Sequence, residues 1–448
     1  MDPILLGAAG FLVVLVLLAL RVPIAFALAG MATICTLIFF ATKSGDFDLV
    51  RAFRPTTTLL FSNTFELIHS YNLSMVPLFI ALGHVAYRAG ITTDIYHAAR
   101  IWLARVPGGV AMASVIGCGG FSAITGSSVA CASAMGRICV PEMLRFKYDP
   151  RLATSSVAAG GTLGSLIPPS VLFIIYGIFT ETSINKLFLA GVIPGLLSLA
   201  GFVLVIYIWV KRDPSAGPTP DESEVSGGQR SSAALKAWPA LLLFVIVIGG
   251  IYGGIFTATE AAAISLSITL LVSVLQRRLS FADFKTAMWE TVTQTSAIFF
   301  IAASAKMFVA FIALTGIAPT LVASVEAAQL APWLVLAAIV AIYLVMGMFL
   351  DPLGIMVLTL PFMVPLVEGM GLDIIWFGVV VVKLLEIGLI TPPVGLNVFV
   401  ISSVVGSQVA LEKIFAGILR FLAMDVIVLA LLVAFPVLSL LLPNSMWQ

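Results

Sequence analysis

The strongest constraint on this chain is a succession of apolar runs, each about as long as a bilayer is thick and nearly free of charge. The first, "ILLGAAGFLVVLVLLAL", is followed after three residues by "IAFALAGMATICTLIFFA", and the pattern continues towards the C-terminus. A helix crosses the hydrocarbon core with roughly 17–25 apolar residues. In lipid every backbone polar group must be satisfied internally, which leaves helices or closed barrels. The alternating segments of about ten residues that mark a barrel are absent. The chain therefore reads as an all-α polytopic membrane protein. Composition agrees: of 448 residues, 60% are hydrophobic and 10% charged, against about 25% charged in soluble domains. A net charge of +1 gives no basic surface for nucleic acid.

The N-terminal run lacks a basic start and an evident cleavage site, and a second apolar run follows at once. It reads as a first membrane helix rather than a signal peptide. Cys35, Cys118, Cys131 and Cys139 lie in apolar or Gly/Ser-rich context and read as buried free thiols. No GxxxxGK[ST] loop, HExxH or GxSxG occurs, so neither ATP binding through a P-loop nor these hydrolytic chemistries are expected. The chain is not expected to be an enzyme or to need a cofactor.

Two apolar segments contain a proline pair: "GSLIPPS" (164–170) and "GLITPPVG" (388–395). Proline removes a backbone donor and clashes with the preceding turn. Such breaks persist at membrane depth only where the freed groups find partners or line a cavity. Residues 211–236 are rich in Pro, Ser, Gly and charge and read as a solvated cytoplasmic linker between two similar halves, 1–210 and 237–448. Helices are expected at about 3–20, 23–41, 59–88, 151–179 and 185–210, then at 238–255, 257–276, 286–315, 376–405 and 415–442. Each half also holds a Gly/Pro/Ser-interrupted segment before its broken helix, at 109–141 and 332–366, which reads as a re-entrant helical hairpin. The broken helices are 151–179 and 376–405.

With the N-terminus outside, Lys43, Arg51, Arg54 and Lys186 fall outside and Lys306 and Lys383 within spans. The rest of the 23 Lys and Arg residues fall inside, as the positive-inside rule requires. Five crossings per half invert the second half relative to the first. Inverted repeats with paired broken helices are the architecture of secondary transporters, with binding near the midplane. The outer side has only a short loop, at about 43–58.

The tip "TGSSVA" offers Thr125, Gly126, Ser127 and Ser128. The first break adds Thr162, Ser165 and carbonyls freed before Pro168 and Pro169. Together these oxygens make a candidate Na⁺ site; close packing of small residues is the alternative. The second half offers Asp351 and Gly354 at "FLDPLG", and Thr391, Pro392, Pro393, Gly395 and Asn397 at "LITPPVGLN", as a candidate second Na⁺ site. Asp351 suits a cation ligand and a helix cap equally. Half-helix N-termini at the breaks suit an anionic substrate, with Ser128, Pro169, Pro393 and, more weakly, Lys383 as contacts. Lys383 also stands three residues from Glu386 on one helix, a spacing that allows them to pair.

Taken together, "RVPIAFALAG", "SMVPLFIALG", "GGFSAITGSSVA", "AGGTLGSLIPPS", "YGGIFTATEAAA", "GMFLDPLGIMVLTLPFMVPL" and "ITPPVGLNVFV" resemble the large membrane subunit (DctM-like M subunit) of tripartite ATP-independent periplasmic (TRAP) transporters. The resemblance covers nearly the whole chain in family order. It implies an elevator-type carrier of the bacterial cytoplasmic (inner) membrane, surrounded by membrane lipids, that takes up an organic anion such as a C4-dicarboxylate with Na⁺. It also implies two partners, a small four-helix membrane subunit on a separate chain and a periplasmic substrate-binding protein. One departure stands out: after the tip this chain reads "CASAMGRICVPEM", placing Arg137 near the hairpin's inward end. A single-component Na⁺/divalent-anion symporter is the nearest alternative, but Ser-Asn-Thr tips typical of it are absent.

Overall fold

A computed structural model describes residues 2–43, 47–218 and 235–446. Among these residues the chain is helical and no strand is found. Seven helices are long and apolar enough to cross a membrane, or eight if one bent pair counts as a span.

The first half runs α1 (Pro3–Ala19), α2 (Ile24–Thr42), α3 (Leu49–Ile68), α4 (Met75–Arg88), α5 (Ile91–Leu103), α6 (Gly109–Thr125), α7 (Ser128–Arg145), α8 (Pro150–Leu166), α9 (Val171–Thr180) and α10 (Ile184–Arg212). The second runs α11 (Trp238–Tyr252), α12 (Ala258–Leu275), α13 (Phe281–Thr315), α14 (Ile317–Ala327), α15 (Pro332–Gly347), α16 (Pro352–Gly369), α17 (Ile374–Gly388), α18 (Leu396–Val405), α19 (Leu411–Ala434) and α20 (Val437–Ser445). The order matches in both: two helices, a long or bent one, a short one, a hairpin (α6–α7, α15–α16), a broken helix (α8–α9, α17–α18) and a closing helix. Both proline pairs contain a cis bond, Pro168–Pro169 and Pro392–Pro393.

The packing separates two groups. Helices α1–α4 pack with α12 and α13, while the hairpins and broken helices pack among themselves and against α10 and α19. Short helices join the groups at matched places, with α5 on hairpin helix α6 and α14 on hairpin helix α16. Each opens on a glycine in the left-handed region, Gly90 (φ 73) and Gly316 (φ 67), where the chain leaves one group for the other.

Several expectations change. The expected helix at 59–88 is two helices bent by 55°, and α3 reaches back over most of the expected outer loop 43–58. Its polar residues and exposed Phe53, Phe61 and Phe65 make it amphipathic, which a hydropathy average does not register. Helices α5 and α14 were not expected, because each is shorter than a span and merges with its neighbour's apolar run. The expected helix 415–442 divides at Phe435–Pro436, since proline cannot continue the hydrogen-bond ladder. Of the expected linker, Lys211 and Arg212 end α10 and Pro214–Ala216 forms a short 3₁₀ turn; residues 219–234 lie outside the described residues.

Glycines set the closest approach within the second half. A Cβ on Gly388 of α17 would stand 2.7 Å from the Gly347 Cα and 2.9 Å from its carbonyl oxygen on α15. Backbone cannot swing aside as a side-chain end does. Gly388→Ala is therefore expected to destabilise the protein by about 1–3 kcal/mol, the usual cost of overpacking. The check is a lowered thermal-unfolding midpoint in detergent.

Candidate functional site

Both breaks and both hairpin tips meet at one place. Residues 126–129 of the first tip, Ser165, Val171 and Leu172 of the first break, Asp351, Pro352 and Leu353 of the second tip, and Leu389 and Leu396 of the second break line a cavity of about 180 Å³. Helices α7, α9, α16 and α18 all begin on its wall. Their dipoles present positive ends to one small space, while some first-turn N–H groups are taken up by side-chain caps and by the Gly126 and Leu389 carbonyls. Helices α6, α8 and α17 end beside it, so carbonyl ends lie close by.

Local sequence makes these starts. Ser127 caps α7 through the Ala130 N–H, Ser170 caps α9 through the Phe173 N–H, and Asp351 caps α16 through the Gly354 N–H at 3.0 Å. Gly395 opens α18 in the left-handed region without a side-chain cap. Asp351 is thus a cap in this structure, and the same residue lines the cavity. The first tip is tied to the first break: the Val171 N–H donates to the Gly126 carbonyl at 3.3 Å.

A polar cluster joins the two halves beside this cavity. The Ser128 and Ser165 hydroxyls lie 2.8 Å apart, and Ser128 donates to Glu386 Oε1 at 2.7 Å. Glu386 is 1% exposed, and its Oε2 has no hydrogen-bond partner. The pairing of Lys383 with Glu386 considered above does not form. Lys383 instead contacts Asp425 of α19, and donates to Ser198 of α10 at 3.0 Å. A buried ammonium needs a carboxylate fully committed to it, and Glu386 is turned towards the first tip.

The other expected residues divide between wall and support. Thr125 donates to the Phe121 carbonyl, Thr162 to Ala159 and Thr391 to Ile387. Each hydroxyl keeps lone pairs after donating. Asn397 is buried and donates to the Ala158 carbonyl at 3.3 Å, seating α18 on α8. Thr125, Thr162, Pro168, Pro169, Gly354, Thr391, Pro392, Pro393, Gly395, Asn397 and Lys383 are not on the wall of the central cavity; Thr125 lines the neighbouring one.

Two larger openings flank the centre. On the side assigned as inner, about 220 Å³ is bounded by α4, α7 and α13, with His84, Ser133, Arg137, Glu290 and Gln294 on its wall. Ser127 and Gln294 belong to both this cavity and the central one. On the side assigned as outer, about 910 Å³ lies between the α3–α4 bend, the α9–α10 turn and the start of α12, with Glu66, Glu181 and Lys306 on its wall. Gln294 was missed by sequence reasoning, and Glu386 was read only as a possible partner of Lys383. Only their intramembrane polarity hinted at a role.

The arrangement is a carrier's: a small central cavity at four helix starts, largely apolar on its wall with Ser127, Ser128, Ser165, Gln294 and Asp351 as its polar side chains, flanked by wider cavities. The DctM component of tripartite ATP-independent periplasmic transporters, as a family model, matches residues 11–438. The chain belongs to this family. It is a TRAP large permease subunit, a multi-pass membrane protein and not an enzyme. It is 35% identical to the C4-dicarboxylate TRAP transporter large permease protein DctM of Pseudomonas aeruginosa, covering 85% of this chain and 88% of that one. It is 34% identical to the sialic acid TRAP transporter large permease protein SiaM of Vibrio cholerae, covering 84% and 87%. The isethionate TRAP transporter permease protein DctMQ of Oleidesulfovibrio alaskensis is 31% identical over 92% of this chain and 62% of its own length. Among solved structures, the YdaH transporter of Alcanivorax borkumensis superposes with a TM-score of 0.60 at 16% identity, covering 99% of this chain and 98% of that one. This likeness supports the permease's fold alone.

Proposed function

We propose that this permease subunit takes up an organic anion, a C4-dicarboxylate or a related carboxylate or sugar acid, across the bacterial cytoplasmic membrane, driven by Na⁺. The observation that carries the reading is the meeting of four helix N-termini on one small cavity. Amide N–H groups and dipole ends of this kind hold carboxylates. Relatives named for C4-dicarboxylate, sialic acid and isethionate transport agree in taking acids.

The first cation site is assigned to Thr125, Gly126, Ser127, Ser128, Thr162, Ser165 and the carbonyls before Pro168. Glu386 joins it: a buried, unpartnered carboxylate oxygen beside two hydroxyls is a donor set suited to a hard cation. The second site is assigned to Asp351, Gly354, Thr391, Pro392, Gly395 and Asn397. Asp351 can cap α16 through one oxygen and contribute to the site as well. A small membrane subunit is a separate chain in this reading. The stretch of the isethionate relative DctMQ that this chain does not cover leaves room for such a subunit there. An elevator movement of the hairpin group past the other helices would expose the centre alternately to the outer and inner cavities. The single-component symporter is not favoured, since the named relatives are TRAP permeases.

Uptake by the assembled transporter should require Na⁺, and equal uptake in K⁺ and Na⁺ buffers contradicts the reading. Ser127→Ala and Thr391→Ala should each raise the Na⁺ concentration for half-maximal uptake several-fold, about 1 kcal/mol of lost ligation. Unchanged Na⁺ dependence in both variants would assign these hydroxyls to packing.

A further inference from the structure

We infer that Arg137 is a substrate-contacting residue of the inner cavity, and that it selects organic acids carrying a second acidic group. The inference rests on the anion-carrier reading above.

Ser127, Ala130, Ser133, Ala134 and Arg137 lie on one face of α7 and all line the inner cavity. This face opposes Gly83, His84 and Tyr87 of α4, and Glu290 and Gln294 of α13. An arginine at the inner membrane face needs no special role. The charge balance of this cavity sets Arg137 apart. Glu290 is the one carboxylate on the wall, and it is already engaged by Arg88 at 2.6 Å and His84 at 3.3 Å. Arg137 has no carboxylate within ion-pair distance among the described residues. The wall therefore carries a guanidinium with no direct carboxylate partner, while Arg88 is shared between Glu290 and Asp283.

Its reach is suitable. Ten residues of helix separate Ser127 from Arg137, a rise of about 15 Å. Side chains on a helix lean towards its N-terminus, and an arginine can span about one turn in that direction along the wall it shares with Ser127. An acid with one carboxylate at the α7 start would place a second acidic group within reach of Arg137. The planar guanidinium fork can bind that group with two parallel hydrogen bonds. A monoacid of the same length would leave the fork empty.

The test uses full-length chain in nanodiscs with an arginine-modifying diketone, reading the modification rate of each arginine by mass spectrometry. Succinate, glutarate and adipate should slow modification of Arg137 at least roughly five-fold, about 1 kcal/mol of protection. Butyrate, valerate and caproate should slow it far less, and Arg145 and Arg151 should react unchanged throughout. Arg137→Gln should equalise the affinities for diacid and monoacid, while Arg137→Lys should keep part of the difference. If no diacid protects Arg137, or diacids and monoacids protect it equally, Arg137 is only a solvated inner-face charge and the inference fails. Na⁺-driven uptake with an unprotected Arg137 rejects this inference alone. Protection without Na⁺-driven uptake rejects the coupling and keeps the site.

Discussion

The purified chain alone, in liposomes with an inward Na⁺ gradient, is expected to transport almost nothing. Adding the small membrane subunit and the cognate periplasmic binding protein should raise uptake by orders of magnitude. Excess free substrate should not replace the binding protein. The physical ground is that the described residues on the side assigned as outer form no domain of their own. Apart from the amphipathic helix α3, the side assigned as outer offers turns such as Glu181–Ser183 and the wide opening lined by Glu66, Glu181 and Lys306. An opening of about 910 Å³ exceeds what a small acid fills, and tight pockets enclose most of the ligand surface. High-affinity capture must then come from a separate protein that releases its load here. Exposed apolar side chains such as Phe53, Phe61, Trp289 and Trp333 leave ample surface for lipid or a second membrane subunit. Robust uptake by the chain alone would reject the tripartite reading and promote the single-component symporter.

Gly126→Ala should cost at least about tenfold in uptake, with expression and membrane insertion retained. Gly126 sits at φ +63, and a Cβ there would stand 2.4 Å from the Pro169 carbonyl oxygen. Two penalties coincide: the left-handed backbone costs a non-glycine residue about 1–2 kcal/mol, and the overlap is with backbone that cannot step aside. The tip must then withdraw from the first break and lose the contact between Val171 and the Gly126 carbonyl. Gly371 separates the two effects. It has φ +70 with nothing within 4 Å of an added Cβ, so Gly371→Ala carries the strain without the overlap. Uptake should survive in Gly371→Ala. Equal losses in the two variants would show that backbone strain alone accounts for the effect and that the tip's seat is unimportant.

The parts of the fold legible in the sequence are those written in local chemistry. Pro168–Pro169 and Pro392–Pro393 cannot lie in continuous helix, and "TGSS" and "LDPLG" carry the caps and turn formers that start α7 and α16. In the structure those two helices run Ser128–Arg145 and Pro352–Gly369. What was not legible depends on neighbours distant in sequence. Lys383 lies three residues from Glu386, and local spacing suggested a pair. Its carboxylate is Asp425, on another helix. Glu386 meets Ser128 from the opposite half of the chain, a contact that no local pattern encodes. Helices α5 and α14 were hidden for another reason: they are too short to cross a membrane, so apolar length, the main signal in such a sequence, says nothing of them.

Coupled transport requires that the oxygen-lined breaks carry ions. Radiolabelled Na⁺ and labelled substrate should be followed together in liposomes holding the complete transporter. Na⁺ should enter with substrate in a fixed ratio. Ser127→Ala and Thr391→Ala should need more Na⁺ to reach the same flux, and an inside-negative potential should speed uptake if net positive charge moves, by about 2.3 kcal/mol per charge per 100 mV. Substrate entry with no accompanying Na⁺, at a rate indifferent to the Na⁺ gradient, would contradict the account.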